Sequence, residues 1–145
     1  MGAAYDPPSG DRLVDSYVQE SGRGCIAKLE YEIVSWSAFW IQLQGTDLSP
    51  YSQLVFDIKA DPQENVPERV KIELKRVGGQ EVSILYISGI TTDWQTMSVN
   101  LRDFGPTGYT DSLSSFTNMK ELVFTFEANQ SGRAGIIYLD NIVLR

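Results

Sequence analysis

The sequence contains no histidine and a single cysteine, Cys25. The first absence excludes Ser-His-Asp and Cys-His nucleophilic catalysis, together with any zinc site that relies on imidazole. One thiol can form neither an intrachain disulfide nor a thiolate metal centre. Cys25 stands in an alternating apolar stretch and is expected to be a small buried hydrophobe, not a reactive thiol. No GxGxxG or phosphate-loop pattern occurs. No apolar run approaches the length that crosses a bilayer. Basic residues are outnumbered, Lys+Arg 12 against Asp+Glu 19, for a net charge of −7. That balance argues against nucleic acid, whose phosphates need a basic face, and against insertion into or binding of anionic membranes. It accommodates a neutral ligand such as a sugar. The Met1-Gly-Ala-Ala start has neither the charged nor the apolar region of a secretory leader. It reads as a start codon ahead of an excised domain, and residues 1–10 are expected to be disordered or appended.

What is present is a length of 145 residues with 42% hydrophobic and 21% charged residues, the size and composition of one globular domain over 1–145. Apolar residues recur with a period of two. Ala27, Leu29, Tyr31 and Ile33 alternate with Lys28, Glu30 and Glu32. Phe39, Ile41 and Leu43 alternate with Trp40, Gln42 and Gln44. Leu54, Phe56 and Ile58 alternate with Val55, Asp57 and Lys59, and Val70, Ile72 and Leu74 with Lys71, Glu73 and Lys75. Further strands are expected near 11–18, 81–87, 94–101, 120–127 and 135–144, making roughly nine in all. Gly22 and Gly24, Pro62 and Pro67, and the Gly78-Gly79 hairpin signal separate them. The longest connection, 102–119, is expected to hold one short helical turn at Ser112–Phe116. The pattern predicts an all-β antiparallel sandwich.

Half of each alternating strand faces outward, and the outward set here is rich in long or planar polar groups. Trp40, Gln42, Asp57, Lys59, Lys71, Glu73 and Lys75 sit on strands, not loops. If those strands are neighbours, they make one amphipathic surface, braced by pairs such as Lys71 or Lys59 with Asp57 or Glu73. Such a surface is either a solvated sheet face or a ligand platform. Trp94, which opens a strand after a turn, is expected in the core.

Several segments, in order, carry a likeness: Cys25–Tyr31, Phe39-Trp40-Ile41, Asp47-Leu48-Ser49-Pro50-Tyr51, Leu54–Lys59, Lys71-Ile-Glu-Leu-Lys75, Tyr86-Ile-Ser-Gly-Ile90, Trp94, Leu101-Arg-Asp-Phe104 and Ile137-Tyr-Leu-Asp-Asn-Ile142. Together they resemble the jelly-roll carbohydrate-binding modules of the family 11 kind, attached to bacterial polysaccharide-degrading enzymes, with a galactose-binding-like β-sandwich. The likeness spans about 24–145. Tyr5-Asp6 alone hints at the short aromatic-acidic strand that usually opens these domains.

The resemblance implies a non-catalytic, extracellular or cell-surface module that docks a β-glucan or related polysaccharide and is linked to a catalytic or other domain. It implies a sugar surface at Trp40, Gln42, Asp57, Lys59, Lys71 and Glu73, with Tyr86 and Trp36 as weaker candidates. Sugars suit such a set: apolar C–H patches meet an aromatic ring, and vicinal hydroxyls meet planar or charged groups. It also implies one structural Ca2+ with Asp140 as ligand, aided by carbonyls near Ser21–Gly24 and a carboxylate from Asp6, Asp15 or Glu20. Without the metal, Asp140 would cap a turn or pair with a cation such as Arg145. Two other functions stay open. One is a structural or interaction domain of a multidomain or cell-surface protein, of which the sandwich of respiratory-complex assembly factors is a variant. The other is an enzyme that pairs carboxylates among Glu30, Glu32, Asp57 and Glu73 as acid and base.

Overall fold

The computed structural model describes residues 1–5, 10–76 and 80–145. Its strands are β1 (Gly2–Tyr5), β2 (Arg12–Glu20), β3 (Gly24–Glu32), β4 (Trp36–Thr46), β5 (Gln53–Ala60), β6 (Arg69–Arg76), β7 (Val82–Ser88), β8 (Gln95–Asn100), β9 (Gly105–Pro106), β10 (Met119–Glu127) and β11 (Ala134–Leu144). Each strand expected from the period of two is there. Sheet I has the order β1-β4-β10-β6-β7-β9, and sheet II has the order β2-β3-β11-β5-β8. The strand pairings are antiparallel. The Gly78-Gly79 signal lies outside the described residues, although β6 and β7 do pair with each other. Among the described residues no helix is long and apolar enough to cross a membrane.

One face of each sheet packs against the other. Phe39, Ile72, Leu74 and Phe124 of sheet I meet Leu29, Tyr31, Phe56, Ile58, Ile137 and Leu139 of sheet II in one buried cluster. The expected inward faces of β3, β5 and β6 are thus the core. Tyr31 stacks on Phe126 across the sheets at 4.3 Å, and Phe56 meets Phe124 edge-on at 5.4 Å. The Tyr31 hydroxyl is satisfied by donating to the Ser131 carbonyl at 2.7 Å. Burial pushes its pKa up to about 12. Gly135 is required beneath it, because a Cβ there would lie 2.6 Å from Tyr31 Oη.

Three features correct the sequence expectations. Gly2–Tyr5, within the stretch expected to be disordered or appended, pairs with β4 as an edge strand. Cys25 is exposed. It keeps the inward parity of Leu29, but it pairs with Gln19 at the far end of the β2–β3 hairpin. Along β2 the same-parity residues pass from buried Leu13 to exposed Tyr17 and Gln19, so the inward row loses its cover toward the turn. Ser112–Phe116 forms no helical turn. The Leu113 and Ser114 amides donate to Ser83 Oγ at 3.0 Å and Glu81 Oε1 at 3.2 Å, which replaces helical bonding with tertiary bonding. The one short α-helix among the described residues is α1 (Ala128–Ser131).

The crossing from sheet II to sheet I after β3 depends on Asp11. This side chain is 3% exposed at the foot of β2. Its carboxylate accepts from the amides of Val34 at 2.7 Å, Ser35 at 2.9 Å and Trp36 at 3.3 Å. A buried carboxylate with several amide donors is a strong anchor, and its loss leaves those donors unpaired. Asp11→Ala is therefore expected to destabilise the fold by about 2–4 kcal/mol. A thermal melt should show this as a Tm lower by roughly 5–15 °C. Asp11→Asn should recover part of it, since the amide oxygen still accepts.

Candidate functional site

The outer face of sheet I is concave and forms a cleft of about 470 Å³. Register explains which residues meet there. Trp40 stands opposite Val123, and Val123 opposite Glu73. In the next row Ala38 stands opposite Thr125, Thr125 opposite Lys71, and Lys71 opposite Tyr86. Trp36 stands opposite Glu127. Because the pleat sends alternate residues to one face, these side chains share a surface that the core does not use.

The floor of the cleft is polar and, at its centre, buried. Lys71 is 7% exposed and Glu73 is 8% exposed. Buried charges need partners, and here they have them. Lys71 Nζ donates to Glu127 Oε2 at 3.2 Å, and Thr125 Oγ1 donates to Glu73 Oε2 at 2.6 Å. The Tyr86 hydroxyl donates to the other oxygen of Glu127 at 2.6 Å. Burial, with that carboxylate beside it, pushes the Tyr86 phenol up to about 12. At one end Lys75 lies 3.9 Å from Glu121. Aromatic rings stand at the rim: Trp36 and Tyr109, 40% and 72% exposed, and the half-buried Trp40. Tyr109 rides on a tight loop in which its own amide and that of Thr110 both donate to Thr107 Oγ1, at 3.1 and 2.9 Å.

The structure thus brings together Trp40, Lys71, Glu73 and the weaker candidates Tyr86 and Trp36. Gln42 is exposed one row beyond, opposite Glu121. Asp57 and Lys59 do not join them. Both lie on β5, whose outer face belongs to sheet II, on the far side of the core. The expected pairs of Lys71 or Lys59 with Asp57 or Glu73 are replaced by Lys71–Glu127, Lys59–Glu20 and Arg23–Asp57. Thr125 and Glu127 were within reach of sequence reasoning, since they share parity with Val123 on an expected strand. Tyr109 carries no such signal, because it sits in the aperiodic connection.

The outer face of sheet II carries a different cluster. Asp140 of β11 faces Asp57 of β5 across the ladder. Arg23 Nη1 donates to both carboxylates, at 2.8 Å to Asp57 and 3.1 Å to Asp140. Its guanidinium stacks on Trp94 at 4.0 Å from the ring centroid. Trp94 Nε1 donates to Glu20 at 2.7 Å, and Glu20 also pairs with Lys59 at 3.2 Å. Trp94 is accordingly half-buried under cations on the outer face, not in the core as expected. Asn141, at φ 49° in a bulge of β11, turns its side chain to donate to Asp57 at 2.9 Å. Arg23, Thr96 and Asn141 together hold the Asp57 carboxyl down at about 2.

This arrangement bears on the calcium expected at Asp140. Calcium takes six to eight oxygens, several from carboxylates. The Asp140 oxygens already accept from Arg23 and from the Asn141 amide, so a guanidinium stands where a cation would. Of the expected partners, Glu20 is committed to Lys59 and Trp94, Asp15 stands opposite Leu29 with the core-facing parity of Leu13 and so points away from Asp140, and Asp6 lies outside the described residues. Among the described residues no group of three or more His, Cys, Asp or Glu is placed to hold a metal ion. The residues at Asp140 do not fit calcium, and the pairing expected with Arg145 is made by Arg23 instead.

A family model described as carbohydrate binding domain 30 matches residues 11–145. No curated protein matches the chain by sequence. Among solved structures, the fold is similar to a family 11 carbohydrate-binding module from Clostridium thermocellum in complex with a β-1,3-1,4-mixed-linked tetrasaccharide. The identity is 18% and the TM-score 0.74, over 99% of this chain and 85% of that one. A family 29 carbohydrate-binding module is similar at 14% identity and TM-score 0.59, over 94% of this chain and 81% of that one. An exo-β-agarase contains a similar fold at 14% identity and TM-score 0.63, over 93% of this chain and 23% of that one.

The cluster on sheet II makes two predictions. The folded-state pKa of Asp57 is about 2, below its ordinary 3.8. Its stabilisation is therefore fully present above the unfolded value and is lost as pH falls through about 2. Arg23→Ala should lower Tm at neutral pH by roughly 3–8 °C, and acid unfolding followed by circular dichroism should begin at higher pH than in the wild type. Separately, EDTA added to calcium-replete protein is expected to leave Tm unchanged. A fall in Tm would show that a calcium is bound and would overturn the reading of Asp140 as a partner of Arg23 alone.

Proposed function

Since the chain belongs to the carbohydrate binding domain 30 family and is a carbohydrate-binding module, we propose that it docks a β-glucan or related glycan in the cleft on sheet I. The observation that carries this reading is the pairing of rim rings, Trp36, Trp40 and Tyr109, with a polar floor of buried Lys71, Glu73 and Thr125 beside half-buried Glu127. An indole or phenol offers its face to the C–H patches of a pyranose ring. Lys71 offers ammonium donors, and Glu73 and Glu127 offer carboxylate acceptors, to the hydroxyls at the ring edge. Because the floor is already cross-linked by its own hydrogen bonds, it loses little freedom when a sugar arrives. The mixed-linkage tetrasaccharide bound by the similar family 11 module supports a β-glucan as the ligand class.

The chain acts without chemistry of its own in this reading. The floor carboxylates are engaged, Glu127 by Lys71 and Tyr86 and Glu73 by Thr125, which suits recognition of hydroxyls over proton transfer to a glycosidic oxygen. Its use is to hold an attached catalytic domain near its polymer, which raises local substrate concentration. The similar folds within an agarase and in a module of a cellulosomal cellulase support that linkage, and an extracellular or cell-surface setting follows from it. The intact cleft favours this reading over a purely structural sandwich.

Native affinity gels cast with mixed-linkage β-glucan, xyloglucan, mannan and xylan test it. Retardation by a β-glucan is the expected result. Trp40→Ala should weaken that binding ten- to hundredfold, where each tenfold is about 1.4 kcal/mol, with Tm close to that of the wild type. Unchanged migration on the whole panel, or full binding by the alanine variant, would overturn the assignment.

A further inference from the structure

We propose that Gly2 is a positioning residue for Trp40, and that the edge strand β1 is thereby part of the binding cleft; this rests on the glycan reading of that cleft. Gly2 and Trp40 are direct cross-strand partners. A Cβ built on Gly2 would lie 2.6 Å from Cζ2, 2.8 Å from Cε2 and 3.1 Å from Nε1 of the indole. Ordinary carbon contacts are about 3.5–4.0 Å, so a Cβ at position 2 does not fit with the ring where it stands.

Conformation does not explain the glycine. Gly2 is not among the residues with positive φ, so its backbone would accept any L residue. The three atoms nearest to a Cβ built there all belong to the indole. Trp40 is held in one cross-strand row, with Gly2 on one side and Val123, then Glu73, on the other. A side chain at position 2 pushes the ring along that row, over Val123 and toward the Glu73 carboxylate, into the space the sugar needs. Glycine thus lets the ring stand back against β1 and keeps the cleft open beside it.

A purely structural role for Gly2 predicts the opposite sign. Glycine is a poor strand residue for entropic reasons, so alanine at an ordinary edge position is neutral or mildly stabilising. Gly2→Ala should instead weaken binding of mixed-linkage β-1,3-1,4-glucan three- to tenfold in affinity gels or calorimetry, with Tm within a degree or two of the wild type. The indole bands of the near-ultraviolet circular dichroism spectrum should shift with it. In a Trp40→Phe background, where the smaller ring leaves room for Cβ, the same Gly2→Ala change should cost little further binding; this cycle isolates the pair.

Wild-type binding and an unchanged indole spectrum in Gly2→Ala would overturn the proposal, as would an equal loss in the Trp40→Phe background. If Trp40→Ala loses binding while Gly2→Ala does not, the proposal falls and the glycan reading stands. If the wild type is not retarded, or Trp40→Ala binds in full, the glycan reading falls and takes with it the role given to Gly2.

Discussion

The outer faces of β6 and β10 are buried almost as deeply as their inner faces, and the rest of the site depends on that. Central strands of a sandwich normally turn their outer side chains to water. Here Lys71, Glu73, Val123 and Thr125 are all removed from it. A desolvated charge that lacks a partner is severely destabilising, so these positions admit only side chains that can satisfy one another. The bonds of Lys71 and Tyr86 to Glu127, and of Thr125 to Glu73, are the result. They turn a potentially floppy set of long side chains into a fixed pattern of donors and acceptors, with aromatic rings at its border.

Two anchors outside the cleft hold that pattern in place. Asp11 ties the foot of β2 to the crossing that launches β4, and β4 carries both Trp36 and Trp40. On the opposite face Arg23 ties the β2–β3 turn to β5 and β11 through two carboxylates, with Trp94 as its platform. The two outer faces therefore divide the work. Sheet II is braced by a covalently attached cation in a position where calcium was expected. Sheet I, relieved of that task, presents the cleft.

How much of this was visible beforehand follows from what a period of two contains. Alternation located the strands and sorted Trp40, Lys71 and Glu73 onto an outer face. It could not say to which sheet a strand belongs, and Asp57 and Lys59 show the consequence. Their parity is right, but β5 pairs with β8 and β11, so they face away from Trp40. Trp94 and Cys25 failed for a related reason. Both are apolar by composition, yet one is stacked beneath Arg23 and the other lies near the hairpin turn, where the inward row loses its cover. Tyr109 was invisible because no periodicity governs its loop, and β1 was only hinted at by Tyr5 because four residues give too short a run for a period of two to be read.

The all-β class, the course of the longer strands, and which half of each strand is apolar are all written in residue order. The absence of histidine and the lone cysteine also removed whole classes of chemistry. These are local properties, set by the pleat and by residue type. Which strands are neighbours, which outer face is a cleft and which a brace, and what surrounds each polar group come from the folded chain. Those depend on hydrogen-bonded ladders between residues far apart in the chain, such as Phe39 with Phe124 or Asp57 with Asp140. No local pattern encodes such pairings.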